Sequence, residues 1–320
     1  MPLISHTVEE QIQKELRLDR YVSEMMRLLS RSQIKARNLK AKINGKDVKL
    51  SRSVKTGDSL ELSWDDAPAQ YLTAQDIPLE IIYEDENCVV INKARGMVVH
   101  PGAGNRQGTL ANALYFRMLC GHSCLPKAMQ DTARGSADPR PGIVHRLDKD
   151  TSGLIICAYN EEAHSFLAEQ FKSRKVKKTY IAVVNGTPAE KTGRIETFIA
   201  RDPKNRKRFT VSPAGKTAVT YYKVLKSWKN ASLVMLRPKT GRTHQLRVHM
   251  RHIGYPIIGD PVYGRFPVCG SFPEAGLMLH SKNLAVILPG HTRQSAFSSA
   301  VPERFTSVIE KLNLEENAHE

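Results

Sequence analysis

The sequence predicts an α+β chain: a mixed, largely antiparallel sheet with helices around it, preceded by a smaller α/β module. Three observations carry that prediction. Beyond about residue 79 the candidate strands and helices do not alternate regularly, which argues against a parallel doubly wound sheet. The composition, 41% hydrophobic and 25% charged over 320 residues, is that of a folded chain long enough for two domains and a sizeable core. Segment 66–78 contains Pro68 and Pro78, shows little periodicity, and reads as a linker between residues 1–65 and a larger unit, 79–320.

In the first module Leu18, Val22, Met25, Met26 and Leu29 fall at helical spacing. Ser30 or Ser32 can cap a second helix carrying Ile34, Lys35, Arg37 and Lys40. Ala41–Ile43 reads as a strand, Asn44-Gly45 as a hairpin turn and 47–50 as the return. A further turn at 54–58 leads to Leu60–Leu62. In the larger unit 79–83 and 88–93 suggest a hairpin, and 110–119 a short helix. The polar, Gly- and Pro-rich stretch 122–140 reads as a loop. Ala163, Phe166, Leu167 and Phe171 mark one face of a helix, and 245–252 forms another. Strands are expected at 180–184, 217–224, 233–236 and 284–288.

Charge narrows the partner. The net charge is +16, and the basic residues are clustered. Between Met25 and Lys46 there are seven Lys or Arg and no acid, and 201–208 holds five basic residues against Asp202. Residues 172–178 are nearly all basic, and 233–259 has five Arg or Lys and no acid. Several such runs point to a basic cleft and a polyanionic partner, since cations gain affinity for nucleic acid by releasing counterions. No apolar stretch approaches a membrane span and no signal-like region opens the chain, so a cytoplasmic location is expected; the chain is also expected to be a monomer. The five cysteines are scattered and read as reduced thiols. Cys120, His122 and Cys124 amount to half of a zinc site, and His244, His249 and His252 match no zinc helix spacing. Neither set predicts a metal, and no motif predicts a cofactor.

The chemistry concentrates in PGIVHRLDKDTSGLIIC, residues 141–157. Ile143 and Val144 suggest a buried strand, Thr151-Ser152-Gly153 a tight turn, and 154–158 a second strand. Such a layout presents a few side chains rigidly at a cleft. An Asp beside an Arg is more often an ion pair or turn cap, so Asp148 alone decides little. The whole string, however, resembles the HRLD…TSG signature of the RluA-type RNA pseudouridine synthases. Further segments resemble that family in order: RGMVVHP at 95–101, KTYIA at 178–182, TGRTHQLRVH at 240–249, GDPVYG at 259–264 and Leu279-His280. The resemblance spans about residues 80–290.

It implies the pseudouridine synthase fold and a cofactor-free isomerisation. The N1–C1′ bond of a uridine breaks, the uracil turns, and C5 bonds to C1′. It implies Asp148 as the catalytic carboxylate, Arg247 as the cation that orients it, and Tyr180 as an active-site phenol that stacks or transfers a proton. Arg146 can fill the gap left by an extruded base, and His145, Arg242 and His244 lie in the same motifs as RNA contacts. Lys239 stands where many relatives carry Glu. The sequence leaves open attack at C1′, attack on the base, and a glycal route. The first module, through RLD, SRSQI, NGK and KTGD, resembles the S4-type RNA-binding domain, which places Lys35 and Arg37 on an RNA surface. This layout resembles the synthases of C and D type that act on large-subunit ribosomal RNA, or its assembly intermediates. A tRNA-directed synthase and a non-catalytic RNA-binding or ribosome-assembly factor are the alternatives.

Overall fold

A computed structural model describes residues 3–9, 16–26, 28–29, 31–65, 72–102, 104–120, 142–264, 272 and 275–317. The chain divides into two compact units, one ending at Tyr71 and the other beginning at Leu72. His122, Cys124, Cys269 and the whole of the expected loop 122–140 lie outside the described residues.

In the first unit β1 (Leu3–Thr7), β6 (Ser59–Ser63), β3 (Lys40–Ile43) and β4 (Lys46–Val48) form one antiparallel sheet in that order. A second pairing joins β2 (Leu16–Arg17) to β5 (Ser53–Val54). Strand β3 buries Ala41 and Ile43 and exposes Lys40 and Lys42, the alternation of a half-buried strand. The β3–β4 turn puts Asn44 at φ 51 and Gly45 at φ 76, the left-handed pair that a two-residue hairpin needs. The first helical stretch differs from its expected form. It is one α turn, α1 (Leu18–Arg20), followed by a π turn at Tyr21–Met25. The wider turn rotates the apolar stripe, so Leu18, Tyr21 and Val22 are buried while Met25 is exposed. Helix α2 (Arg31–Ala36) stops before Arg37, and Asn38 takes the left-handed conformation that ends helices.

In the second unit one ten-stranded sheet runs β12 (Phe209–Val211), β11 (Thr192–Arg201), β13 (Lys216–Ser227), β14 (Ala231–Pro238), β10 (Lys177–Asn185), β15 (Leu279–Ile287), β9 (Ser152–Ala158), β8 (Cys88–Lys93), β7 (Glu80–Glu84). Strand β16 (Gln294–Ser298) pairs with β15. Every pairing is antiparallel except β15 with β9, so the sheet is mixed and largely antiparallel, as expected. Both faces of the centre are covered. On β8, Val89 and Ile91 pack into one core and Cys88 and Val90 into the other. Helices α3 (Leu110–Cys120), α5 (Gln245–His252) and α6 (Glu303–Asn317) contribute to the first core, and α4 (Glu161–Lys172) to the second. No described helix is long and apolar enough to cross a membrane.

The segment before β9 also departs from expectation. Ile143 makes only an isolated bridge to Cys157, and the turn falls at Lys149-Asp150, so Ser152 and Gly153 already belong to the strand. Gly153 sits at φ 109, and a Cβ there would collide with the Ser281 backbone. The glycine serves the close parallel approach of β9 and β15, which ties the turn to the sheet.

Candidate active site

The turn before β9 and the head of α5 converge on a cavity of about 540 Å³, within the usual range for small-molecule pockets. Asp148 is the only acid among the described residues lining it, against Arg146, Lys172, Arg174, Lys178, Lys239 and Arg242. Tyr180 forms part of the wall.

Arg247 is buried in the first turn of α5. Its Nη1 donates to Asp148 Oδ2 at 3.1 Å, and its Nε and Nη2 donate to the two carboxylate oxygens of Asp260 at 2.8 Å each. Burial disfavours the charged guanidinium, but the Asp260 bonds and charge, and then Asp148, outweigh it and hold its pKa above the ordinary value. Asp260 is a residue that sequence reading gave no role. The signal was present in GDPVYG: an Asp followed by a turn whose amides at Val262 and Tyr263 cap Asp260 Oδ1 at 2.9 and 3.0 Å.

A second unread residue is Lys93, buried at the end of β8. Its Nζ donates to the carbonyls of Ala94, Met97 and Lys149 at 2.7, 2.9 and 3.1 Å. Burial lowers its pKa to about 7, opposed by the charges of Asp150 and Asp148; the three acceptors are those an ammonium satisfies. The amide of Gly96 donates to the same Lys149 carbonyl at 2.8 Å. The segment RGMVVHP therefore borders a clamp on the backbone next to Asp148. At the other end of the turn Arg304 donates to Ser152 Oγ at 2.6 Å, and Ser152 bonds His280 Nδ1 at 2.9 Å.

The remaining candidates divide. Tyr180 is buried beside Asp148, and burial pushes its phenol up to about 12, so it is neutral at physiological pH and poorly suited to act as a base. His244 caps α5 in the left-handed conformation (φ 56), with Nδ1 2.9 Å from the Tyr263 hydroxyl and Nε2 4.0 Å from Asp148. Burial lowers its pKa despite Asp148, so at neutral pH it is an uncharged neighbour of that carboxylate. His145 lines the cavity, but its Nε2 accepts the Ile156 amide at 3.0 Å and its ring stacks on Phe171. Burial, then Lys178, pushes its pKa down to about 3, so much of this ring supports the scaffold. Arg146 is exposed at the cavity wall, and Arg242 Nε donates to the Thr217 carbonyl at 3.1 Å. Lys35 is exposed and Arg37 half-buried in the first unit. No cluster of described His, Cys, Asp or Glu could hold a metal ion.

A single acid, held by a shared arginine inside a basic cavity on a mixed sheet, is an arrangement suited to an anionic substrate. Comparison with known proteins identifies the kind. The family profile for RNA pseudouridylate synthase matches residues 87–252. Ribosomal large subunit pseudouridine synthase D of Borreliella burgdorferi is 45% identical over 91% of this chain and 87% of its own length. The protein of the same name from Pseudomonas aeruginosa is 37% identical over 94% of this chain and 93% of its own. Among solved structures, human RNA Pseudouridylate Synthase Domain Containing 4 superposes with TM-score 0.56 at 27% identity, covering 73% of this chain and 93% of that one. The chain belongs to the RNA pseudouridine synthase family, isomerases that act on RNA.

Proposed function

We propose that this protein converts specific uridines of large-subunit ribosomal RNA into pseudouridine, with Asp148 as the reacting carboxylate. The observation that carries the reading is the Asp148–Arg247–Asp260 arrangement at the one acidic point of a basic cavity. The rRNA substrate is supported by the two relatives named ribosomal large subunit pseudouridine synthase D, which match most of the chain. In this reading Arg247 orients the carboxylate toward the ribose or base of an extruded uridine. Tyr180 offers its ring and a neutral hydroxyl to the uracil while the N1–C1′ bond is open. Arg146 occupies the space the base leaves, and Arg242 and His244 border the same nucleotide. The atoms balance without a co-reactant: N1 gains the proton that C5 loses when C5 bonds to C1′.

The first unit acts as an S4-type RNA anchor, with the exposed Lys35, Lys40 and Lys46 and the half-buried Arg37 as phosphate contacts. Residues 1–65 bind, and 79–320 perform the chemistry. The protein works as a cytoplasmic monomer without a cofactor. The test is release of tritium from [5-³H]uracil-labelled transcripts. Large-subunit rRNA should lose label stoichiometrically at a few sites. Loss from tRNA transcripts alone would make the protein a tRNA enzyme, and loss from neither would make it an RNA-binding factor.

A further inference from the structure

Behind the wall of the catalytic cavity lies a second one, of about 330 Å³. Arg208, Arg251 and Asp202 line it together with Phe209, Val211, Val248 and Tyr263. Its apolar floor comes from the short strand β12 and the outer part of α5. Two arginines against one aspartate leave its lining with a net positive charge. Arg208 Nε is buried without a hydrogen-bond partner among the described residues, although its guanidinium lies over the Tyr263 ring. Arg251 makes one contact at the 3.5 Å limit, to the Tyr263 carbonyl. The acid in the lining, Asp202, accepts the Lys204 amide through Oδ1 at 2.9 Å, and the two arginines outnumber it. A buried donor without an acceptor is costly, and each such group in a native fold calls for an explanation. Phe209 carries the Arg201 guanidinium 5.2 Å from its ring centre and the His244 ring at 5.5 Å. The part of its ring that lines the cavity lies beside the arginines, the combination an unpaired nucleotide requires: phosphate on arginine, base on an aromatic surface.

We infer that this cavity seats one unpaired nucleotide of the RNA strand that carries the target uridine. Its phosphate lies between Arg208 and Arg251, and its base packs against Phe209. The inference rests on the RNA-modifying reading above and adds a second reading point for sequence or structure around the target. Tyr263 joins the two cavities. Its hydroxyl accepts the Phe209 amide at 2.8 Å and pairs with His244 at 2.9 Å, its own amide caps Asp260, and the Arg247 guanidinium lies 5.1 Å from its ring centre. A nucleotide seated on Phe209 and Arg208 therefore presses on the side chain that also touches the groups around Asp148.

The experiment uses the full chain and [5-³H]uracil-labelled large-subunit rRNA transcript. Arg208→Ala and Arg251→Ala should each raise KM about tenfold, with a much smaller change in the single-turnover rate at saturation. Each should also flatten the plot of log affinity against log salt by roughly 0.7, the value for one lost single-strand phosphate contact. Phe209→Leu should raise KM while leaving the salt slope alone, which separates stacking from charge. Arg208→Lys should keep the slope, and it replaces Arg208→Ala if that variant melts early. Wild-type KM and slope in both arginine variants would overturn the site. A phosphate effect with no Phe209 effect would reduce it to a surface contact and overturn the nucleotide seat. Failure of the wild type to release label would instead strike the function reading, and the salt slopes for binding would still decide the cavity.

Discussion

Asp260, in the turn Gly259–Gly264, and Asp148, in the turn before β9, share one guanidinium but are held differently. Asp260 is fully enclosed and takes two arginine bonds at 2.8 Å plus two backbone amides. Asp148 keeps 17% of its side chain exposed in the cavity and takes one arginine bond at 3.1 Å. A carboxylate whose acceptor sites are filled by fixed donors is structural, whereas one with free lone pairs facing a cavity can react. Arg247 can serve the second only because the first locks its fork. The turns are also anchored differently. The Asp260 turn is capped by its own side chain, while the Asp148 turn is held from outside by Lys93, Gly96 and Arg304.

The contrast predicts a ranking. Asp148→Asn should slow single-turnover label release by at least ~10³-fold, about 4 kcal/mol of barrier. RNA affinity, measured by filter binding, should stay close to wild type. Asp260→Asn should act first on stability, because it leaves a buried guanidinium half-paired. A loss of about 3–5 kcal/mol lowers the melting temperature by about 10 °C in a domain of this size, with a rate loss following from the displaced Arg247. Arg247→Lys keeps the charge but not the fork, and an ammonium cannot bridge the two carboxylates in the same geometry. A rate loss of ~10²-fold with nearly unchanged KM is expected, and a loss confined to KM would make Arg247 a phosphate contact.

Tyr180 sharpens the comparison from the other side. Its phenol stays neutral with a pKa pushed up to about 12, which disfavours a role as general base. Tyr180→Phe should cost less than ~10-fold in rate and Tyr180→Ala considerably more. A pH–rate profile that loses a limb in Tyr180→Phe would restore an acid–base role.

The smallest effect is on stability at mild acid. Burial holds His249 and His280 near 4, against 6.5 for an unperturbed imidazole. Between about pH 4 and 6.5 the unfolded chain therefore binds more protons than the folded one, and stability rises with pH across that window. Melting temperature should fall as pH drops from 7 to 5. His280→Gln, which keeps a donor and an acceptor near Ser152 and Ser299, should flatten the slope.

Much of this was legible in the sequence where residues local in the chain carry the meaning. The β3–β4 turn, helix α5 at 245–252 and the mixed sheet follow from turn chemistry and periodicity. Strand β11 was not read because its buried positions, Ile195 and Ile199, are separated by polar residues and the exposed Phe198. Helix α6 buries Phe305, Val308 and Leu312 at helical spacing, a stripe visible in the sequence itself. At the site, the motif string pointed to Asp148, Tyr180 and Arg247, and the fold sets all three around one cavity. Lys93 and Asp260 were not assigned roles because theirs are set by partners 56 and 13 residues away. The second cavity depends on β12 packing near α5, a tertiary event that no local pattern announces.

The division of labour between the two aspartates is tested most directly by measuring single-turnover label release and thermal melting for Asp148→Asn and Asp260→Asn side by side. The expected result is an Asp148→Asn protein that melts within about 3 °C of wild type yet releases no label, beside an Asp260→Asn protein that melts early and retains measurable turnover. An Asp148→Asn protein keeping more than about a tenth of the wild-type rate, equivalent to about 1.4 kcal/mol, would contradict the account, as would one inactive only because it no longer folds.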